Sequence, residues 1–297
     1  MKQNVGFIKT NLKELEVFIL TDGFFNIGNP QPILAPDISE EAMHEMLHKL
    51  FLPESIYEAP INVMLIKKND RIILIDTGEG YYNTENAGLL LKSLASAGFQ
   101  PKEITDIIIS HAHRDHIGGI LDENHNFIYP NAQYYLSYEE FDFWLGENPD
   151  FSKSRNPEIN CANIELISGI LTSIKPYLQL FDPGDDLFDC IKTEAAPGHT
   201  PGHVVFNVYC DEMSITNLVD IIHSPLLVSQ PDWGTQWDID FEMAVQTRKK
   251  ILEKCSQNRM LIMASHLPWP SIGYVCKIND QFQWMPKSHS DPFYFKL

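Results

Sequence analysis

Cysteine is scarce in this chain of 297 residues, which contains five, an odd number without a CxxC pair. The five are Cys161, Cys190, Cys210, Cys255 and Cys276. Their odd number and their wide spacing argue against a disulfide framework and against a zinc site made of thiolates. We therefore expect reduced thiols with mainly structural roles.

Long apolar runs and linker-like stretches are also missing. No segment is apolar over the length that a bilayer requires, and none has the Gly/Ser-rich, Pro-rich or single-charge composition of a linker. Because 44% of the residues are hydrophobic, the chain can bury a substantial core, and we expect one domain over residues 1–297. The N-terminal sequence MKQNVGFIKTNLKEL lacks the apolar core of a secretory signal, which favours the cytoplasm, although a trimmed signal peptide would leave the same pattern.

Basic residues are few, since 22 lysines and arginines stand against 40 aspartates and glutamates, and the formal net charge is -18. A surface this negative repels nucleic acid and anionic lipid headgroups. We therefore expect neither nucleic acid nor a membrane as a partner, and we expect a small neutral or weakly charged substrate. A homodimer is left open.

The first half of the chain alternates strand and helix patterns. Residues 61–66 and 71–76 are β-rich runs separated by Lys-Lys-Asn-Asp, which predicts a hairpin. A leucine-rich helix pattern covers 85–97, with Gly98 placed to end it. The isoleucine-rich strand predicted at 105–110 runs directly into a histidine-rich loop, the kind of segment on which sites are built.

The second half repeats this alternation. A strand at 133–136 is followed by a helix that we expect to open with a capping box formed by Ser137 and Glu140. Further strands are predicted at 191–194, 204–209, 215–219, 261–264 and 274–278, and a helix at about 240–255. Interleaved hairpins and helices indicate sheets covered by helices on their outer sides.

Near the N-terminus, a segment around 39–52 carries apolar residues on one face of a predicted helix. Its two interpretations are ordinary core packing and a helical cap over the active site or a dimer contact.

Residues 111–116 read His-Ala-His-Arg-Asp-His. His111 and His113, two positions apart at a strand end, can point to the same side and share one metal ion. Asp115 and His116 follow where the chain begins to turn, and they can reach a second ion. A lone histidine is more often a packing residue than a ligand, but three within six residues, with an aspartate among them, favour a metal site.

This HxHxDH motif is the signature of the metallo-β-lactamase superfamily, and the other motifs of that superfamily follow in order. They are Asp76-Thr77-Gly78, Gly118-Gly119, Gly198-His199-Thr200-Pro201-Gly202-His203, Asp220 and Ser265-His266-Leu267-Pro268. Over about residues 15–285, the chain resembles this superfamily. The resemblance implies an α/β fold of the αβ/βα sandwich type, with two central mixed β-sheets flanked by helices.

The resemblance also implies ligands for two metal ions. The first set is His111, His113 and His199, the second is Asp115, His116 and His266, and Asp220 belongs to both. Nitrogen and oxygen donors without thiolate suit two zinc ions, and also manganese, iron or cobalt. Asp76 would accept a hydrogen bond from a ligand histidine or from the loop, and His203 would support the loop of the third histidine. The remaining histidines are expected to face solvent: His44, His48, His125 and His289.

Two adjacent cations lower the pKa of a shared water, so we expect a bridging hydroxide to attack the substrate carbonyl. Asp115 or Asp220 would pass the proton to the leaving group. His223 stands three residues after Asp220, where many lactonases of the family have a tyrosine, and its imidazole can donate a hydrogen bond to an oxyanion or protonate a leaving alkoxide. The predicted catalytic residues are therefore Asp115, Asp220 and His223.

The downstream half resembles the branch that contains the N-acyl homoserine lactonases and the methyl parathion hydrolase type of organophosphate hydrolase. It does so at 220–225, in the loop through Trp233 and Trp237, and at 266–273. We expect a metal-dependent hydrolase of ester bonds, a quorum-quenching N-acyl homoserine lactone lactonase, because the ring ester is neutral and its acyl tail suits an apolar pocket. The alternatives are an organophosphate triesterase or arylesterase, and a non-enzymatic binding scaffold, whose usual sign is missing ligands.

Five residues are candidates for the walls of that pocket. They are Met43, Met46, Phe51, Trp233 and Trp269. Core or loop packing is the alternative interpretation for each of them.

Overall fold

The computed structural model describes residues 6–82 and 85–297, which form two sheets of seven strands each. The first sheet contains, side by side in chain order, β1 Phe7–Leu12, β2 Leu15–Asn26, β3 Glu58–Lys68, β4 Arg71–Ile75, β5 Asp106–Ile108, β6 Gln133–Ser137 and β7 Leu178–Phe181. The second contains, again in chain order, β8 Asp186–Leu187, β9 Ile191–Ala195, β10 Val204–Cys210, β11 Met213–Asn217, β12 Ile262–Met263, β13 Ile272–Ile278 and β14 Gln281–Pro286.

Both sheets are mixed. In the first, β1 to β4 pair antiparallel with their neighbours, and β4 to β7 pair parallel. In the second, β11 and β12 are parallel and the other neighbours are antiparallel. Parallel neighbours start and end at the same edges, so the loops after their carboxyl ends lie together.

The helices cover the outer faces of the sheets. They are α1 Pro30–Ile33, α2 Glu40–Lys49, α3 Leu90–Ser96, α4 Arg114–Ile117, α5 Tyr138–Leu145, α6 Pro157–Cys161, α7 Ile164–Ile174, α8 Pro225–Ser229 and α9 Phe241–Gln257. None of the helices in the described ranges combines the length and the apolar character needed to cross a bilayer.

Three apolar clusters define four layers. Val17 and Ile66 of the first sheet pack with Phe206 and Ile215 of the second, so one cluster lies between the sheets. A second joins the outer face of the first sheet to α3, α5 and α7, and a third joins the outer face of the second sheet to α9. The αβ/βα sandwich predicted from the sequence is therefore confirmed.

The predicted hairpin is present, and the other predicted strands lie within a few residues of β5, β6 and β9 to β13. The helix predicted at 85–97 begins only at Leu90, because the preceding turn is held by Asp22, whose backbone and side-chain oxygens accept from the Leu89 and Leu90 amides. Gly98 ends this helix region with φ +90°, as predicted. The sequence interpretation did not include β1, β2, β7, β14, α6 or α7.

Ser137 caps α5 by accepting from the Glu140 amide at 3.3 Å, as expected. The second half of the predicted capping box is wrong, because the Glu140 carboxylate accepts four hydrogen bonds elsewhere.

Helix α2 lies within the segment 39–52 and buries Met43 and Leu47 against Leu34 and Ala59. Phe51 does not join this face, since it is 96% exposed. A cap role for this segment, and one domain over the whole chain, remain predictions.

All five cysteines are free thiols, with Cys190 and Cys255 buried, Cys210 and Cys276 half-buried and Cys161 exposed.

Candidate metal centre

Asp76 holds the loop that leaves β5. Its carboxylate follows β4 and accepts from the Ser110 amide and hydroxyl, both at 2.8 Å, and from His116 Nδ1 at 2.8 Å. The carboxylate therefore keeps the proton of His116 on Nδ1 and leaves the lone pair of Nε2 facing inward. This is the supporting role that the sequence predicted for Asp76.

Two further histidines are oriented in the same way by groups behind them. His199, in the connection between β9 and β10, donates from Nδ1 to Asp238 Oδ1 at 2.8 Å. His266, which follows β12, donates from Nδ1 to the Pro60 carbonyl at 2.7 Å. Both rings therefore turn Nε2 toward the interior.

The three histidines of the first predicted set meet in space. His113 Nδ1 lies 3.2 Å from His111 Nε2 and 2.9 Å from His199 Nε2. Donor atoms about 3 Å apart are what a four-coordinate ion with bonds of about 2 Å requires. These side chains can hold one metal ion.

The second predicted set lies directly beside the first. Asp115 Oδ2 is 3.4 Å from His116 Nε2 and 3.3 Å from His266 Nε2. These three side chains, together with Asp220, can hold a second ion.

Asp220 stands between the two sets. Its Oδ1 is 3.3 Å from His116 Nε2, and its Oδ2 is 3.1 Å from His266 Nε2, 3.4 Å from His199 Nε2 and 3.8 Å from His111 Nε2. One carboxylate thus reaches both groups, and the structure brings together all seven residues that the sequence singled out as ligands.

The donors fit metal ions better than they fit one another. With Nδ1–H turned outward, His116, His199 and His266 offer lone pairs to a carboxylate that also has only lone pairs. His116 Nε2 and Asp220 Oδ1 are buried without a hydrogen-bond partner in the described ranges. Hydrogen-bond acceptors that converge on one point are unfavourable unless a cation lies between them. A bound cation would therefore stabilise this arrangement.

The pKa values of two of these histidines also indicate that the site favours positive charge. Although burial alone would lower it, the pKa of His199 is raised to about 9 by Asp220 and Asp238. Burial is likewise outweighed at His266, whose pKa is raised to about 10 by Asp220 and Asp115. The carboxylates therefore favour a bound proton, or a bound cation, at these rings.

His223, predicted to be catalytic, lies at the same centre. Its Nε2 is 3.2 Å from Asp220 Oδ2, its ring stacks on His266 at 5.2 Å, and neither ring nitrogen has a well-aligned hydrogen bond in the described structure. Burial lowers the pKa of His223 to about 4, so the ring is a neutral imidazole near pH 7. Asp115 is the more accessible of the other two predicted catalytic residues, with 16% of its side chain exposed against 3% for Asp220.

His203 has a role in addition to the one expected. Its backbone closes the loop of His199, as the sequence suggested, by accepting from the Ala196 amide at 2.9 Å and donating to the Thr200 carbonyl at 3.4 Å. Its Nε2 also accepts from the Asp220 amide at 3.3 Å, so it supports Asp220 as well. Burial lowers the pKa of His203 to about 3, which keeps the ring an acceptor.

Asp238 and Arg248 form a buried ion pair behind His199 that the sequence interpretation missed. Asp238 Oδ2 accepts from the Thr235 amide at 2.9 Å and lies 3.5 Å from Arg248 Nη2. Although burial opposes it, His199 and Arg248 hold the pKa of Asp238 well below its usual value. Arg248 Nε also donates to the Ile221 carbonyl at 2.9 Å, so one guanidinium ties together the segments behind two proposed ligands.

Glu140 is a second buried group that was missed in this role. Its Oε1 accepts from the Ala112 amide at 2.8 Å and from Trp144 at 2.7 Å, and its Oε2 accepts from the Thr200 hydroxyl at 2.6 Å and the Gly202 amide at 3.0 Å. Burial raises the pKa of Glu140, and these donors oppose the rise. The carboxylate joins the loop of His111 and His113 to the loop of His199.

A cavity of about 430 Å³ opens onto the centre. Five side chains of the two ligand sets line it, and its apolar walls include Phe25, Ile27, Leu34, Ala59, Ile159 and Trp237. The five wall residues expected from the sequence are not among them. Met43 and Met46 belong to α2 and pack with Leu34 and Ala59 behind the wall, Trp233 belongs to the apolar clusters that include α8 and α9, and Phe51 and Trp269 are exposed. The four histidines expected to face solvent do so.

The model of the metallo-beta-lactamase superfamily matches residues 56–216. Among curated proteins, the N-acyl homoserine lactonase AiiA of Bacillus thuringiensis subsp. kurstaki is 22% identical over 242 residues, which cover 75% of this chain and 87% of AiiA.

Solved structures give stronger similarity. AidC, a dizinc quorum-quenching lactonase solved with a product, is 37% identical with a TM-score of 0.93, over 98% of this chain and 100% of AidC. The hydrolase AbOPH of the beta-lactamase superfamily is 30% identical with a TM-score of 0.87, over 98% and 100% of the two chains.

Proposed function

The chain belongs to the metallo-β-lactamase superfamily and is a metal-dependent hydrolase, and from that premise we propose that it is a dizinc lactonase that opens N-acyl homoserine lactones. The observation that carries the proposal is the convergence of two ligand sets on Asp220 at the base of a largely apolar cavity. The similarity to AidC over nearly the whole of both chains supports the same substrate class.

Under this proposal, His111, His113 and His199 hold one zinc ion, Asp115, His116 and His266 hold the other, and Asp220 contacts both. When bound, two such ions lower the pKa of a shared water and polarise the carbonyl under attack. The nitrogen and oxygen donors suit zinc, because no thiolate takes part.

The apolar wall accounts for the choice of substrate. Phe25, Leu34 and Trp237 offer surface for an acyl tail, and a neutral lactone avoids the repulsion that the net charge of -18 imposes on anions. Apolar burial contributes about 25 cal/mol per Å², so a longer tail is held more tightly for as long as the cavity accommodates it.

A side chain of the protein transfers a proton from the attacking water to the leaving group. Water adds to the ring carbonyl, and the bond between the carbonyl carbon and the ring oxygen breaks. The products are an alcohol and a carboxylic acid, and the acid releases its remaining proton to solvent as a carboxylate forms. Asp115, at the cavity surface, accepts the proton of the attacking water and delivers it to the departing alkoxide. Asp220 is less suited to this transfer because it is more deeply enclosed.

His223 takes the place of the tyrosine found in many related lactonases. Its neutral ring lines the cavity, and a ring N–H without a well-aligned partner can donate to the oxygen on which negative charge develops. We therefore assign His223 to stabilising that oxygen.

The test is hydrolysis by protein of measured metal content. We expect a higher kcat/KM for N-hexanoyl-L-homoserine lactone than for a p-nitrophenyl phosphotriester, because the apolar wall can hold the acyl tail that the phosphotriester, although also neutral, does not have. A higher value for the phosphotriester would make the organophosphate hydrolase the correct assignment.

A matched pair of histidine variants tests the centre itself. His113→Ala removes a proposed ligand and should lower lactone turnover to near background together with the bound metal. His289→Ala removes an exposed histidine away from the site and should change neither. Full turnover by folded His113→Ala protein would contradict the assigned centre, and absence of hydrolysis by metal-loaded wild-type protein would favour a binding scaffold.

A further inference from the structure

The cavity wall contains an ion pair outside the proposed metal ligands, formed by Glu79 and Arg114. Aside from Asp115 and Asp220, the charged residues that line the cavity are Glu79 and Arg114. Arg114 Nη2 lies 2.7 Å from Glu79 Oε1, and the Glu79 side chain is fully buried whereas 40% of the Arg114 side chain is exposed. The pair therefore presents a guanidinium to the cavity from a carboxylate fixed behind it.

This pair is poorly satisfied by its own fold. Both Glu79 carboxylate oxygens and Arg114 Nε are buried without a well-aligned hydrogen bond within the described ranges. Unsatisfied buried polar groups destabilise a protein, so this pair has hydrogen-bonding capacity that the described fold does not use.

The position of Arg114 limits what it can recognise. It lines the same cavity as His113 and Asp115, so its acceptor is a group of the substrate bound in that cavity. In an N-acyl homoserine lactone, the exocyclic amide is attached to the ring carbon next to the reacting carbonyl. An amide oxygen accepts readily from a guanidinium. The wall also contains Asn26, Asn160 and Asn163, but Arg114 is its only cationic side chain among the described residues, histidines aside, and the apolar part of the wall is suited to the acyl tail.

We propose that Arg114, held in place by Glu79, is a specificity-determining residue that donates a hydrogen bond to the exocyclic amide carbonyl of the substrate. The proposal rests on the lactonase activity proposed above and adds a recognised group to it. Arg114 thereby distinguishes N-acylated homoserine lactones from lactones that carry only an alkyl tail.

The experiment compares two substrates in variants of this pair. N-hexanoyl-L-homoserine lactone has the amide, and α-hexyl-γ-butyrolactone has the same ring with an alkyl tail on the same ring carbon and no amide. In Arg114→Met, the ratio of kcat/KM for the first substrate to that for the second should fall about tenfold or more, as expected for the loss of a hydrogen bond to a charged group. Arg114→Lys keeps the positive charge but lacks the planar set of N–H donors of a guanidinium, so it should give an intermediate ratio.

Metal content and Tm, measured on the same proteins, separate recognition from structure. We expect Arg114→Met to retain its metal, whereas its Tm should fall because Glu79 is left buried without its partner. An unchanged ratio with a lowered Tm would mean that the pair is purely structural and would overturn the proposal. If Arg114→Met does not fold, Glu79→Gln decides instead, because loss of the carboxylate that holds Arg114 should lower the same ratio.

The same measurements distinguish failure of the proposed function from failure of the role proposed for Arg114. If metal-loaded wild-type protein hydrolyses neither lactone, both proposals are wrong. If it hydrolyses the acylated lactone and the ratio is unchanged in every folded variant, only the role of Arg114 is wrong.

Discussion

Arg248 is among the largest fully buried side chains, although it is charged. A buried cation is strongly unfavourable unless its charge and its donors are matched. Asp238 supplies the opposite charge, and the carbonyls of Ile221 and Trp233 accept from the remaining donors. Asp238 also orients His199. The same carboxylate therefore neutralises the charge of Arg248 and sets the orientation of a proposed metal ligand.

We predict that Asp238→Ala destabilises the fold by about 3–5 kcal/mol, since it leaves Arg248 buried and unpaired. Asp238→Asn keeps an acceptor for His199 Nδ1 but removes the charge, and it should weaken metal binding by about 10- to 100-fold. Denaturant unfolding and competition with a chelator measure the two effects. Wild-type metal affinity in the asparagine variant would show that the charge of Asp238 is not needed.

Single residues differed in how well the sequence revealed them. The ligand positions were predictable, since HxHxDH is short and its residue types have few other reasons to occur together. Asp238 and Arg248 were not, because they have no local signature and acquire their role only when α9 packs behind the loop. Glu140 was attributed to a local capping box, and the long-range donors that it serves cannot be identified from its neighbours in sequence.

At the scale of elements, α5 is joined to the loop between β9 and β10. The Ser137 hydroxyl that caps α5 donates to the Gly202 carbonyl at 2.7 Å, and the Gly202 amide donates to Glu140. The approach is very close, because a Cβ at Gly202 would lie 2.1 Å from the Glu140 backbone nitrogen. The loop of His199 therefore depends on a position without a side chain.

Two glycine-to-alanine changes should have opposite effects. Gly202→Ala forces the first turn of α5 away from the loop and should destabilise the protein by about 1–3 kcal/mol or more, with loss of metal. Gly169→Ala lies on an exposed position of α7 with no atom near the added methyl group, and it should stabilise by about 0.5–1 kcal/mol. Thermal unfolding with metal analysis tests both, and a stable, metal-loaded Gly202→Ala protein would contradict the close approach.

Elements with a clear periodicity or turn signal were predicted, and the others were missed for identifiable reasons. β2 has an almost continuous apolar stretch that is buried on both faces, so it lacks the alternation of a half-exposed strand. α7 reads Ile-Glu-Leu-Ile-Ser-Gly-Ile-Leu-Thr-Ser-Ile, where β-branched residues and a glycine weaken the helix signal. Packing against the first sheet decides its conformation.

At the scale of the whole molecule, the candidate centre spans both sheets. His111, His113, Asp115 and His116 follow β5 of the first sheet, whereas His199, Asp220 and His266 follow strands of the second. The fold class was predictable because motifs spread over most of the chain had to meet. The walls of the cavity were not, since most of them come from β2, β3, α6 and the residue after α1, which no motif marks. The loop with Trp237 was noted from the resemblance, but the sequence did not show that Trp237 is the residue that faces the cavity.

Metal removal should therefore weaken the whole fold. We predict that chelation lowers the Tm by several degrees and that added zinc restores it, because ligand binding to the folded state contributes about 2.7 kcal/mol when free metal is about 100 times its Kd. Differential scanning calorimetry across zinc concentrations measures this effect. His113→Ala should respond less than His289→Ala, and an identical Tm with and without chelator would exclude a metal that joins the sheets.

The division of the centre between the sheets also limits recombination between relatives. The connection at 182–185, between β7 and β8, is the natural crossover point for a hybrid gene. Such a hybrid would take four donors from one parent and three from the other, and the apolar layer between the sheets would come from both. Its success would depend on two inherited halves presenting their donors to the same point in space.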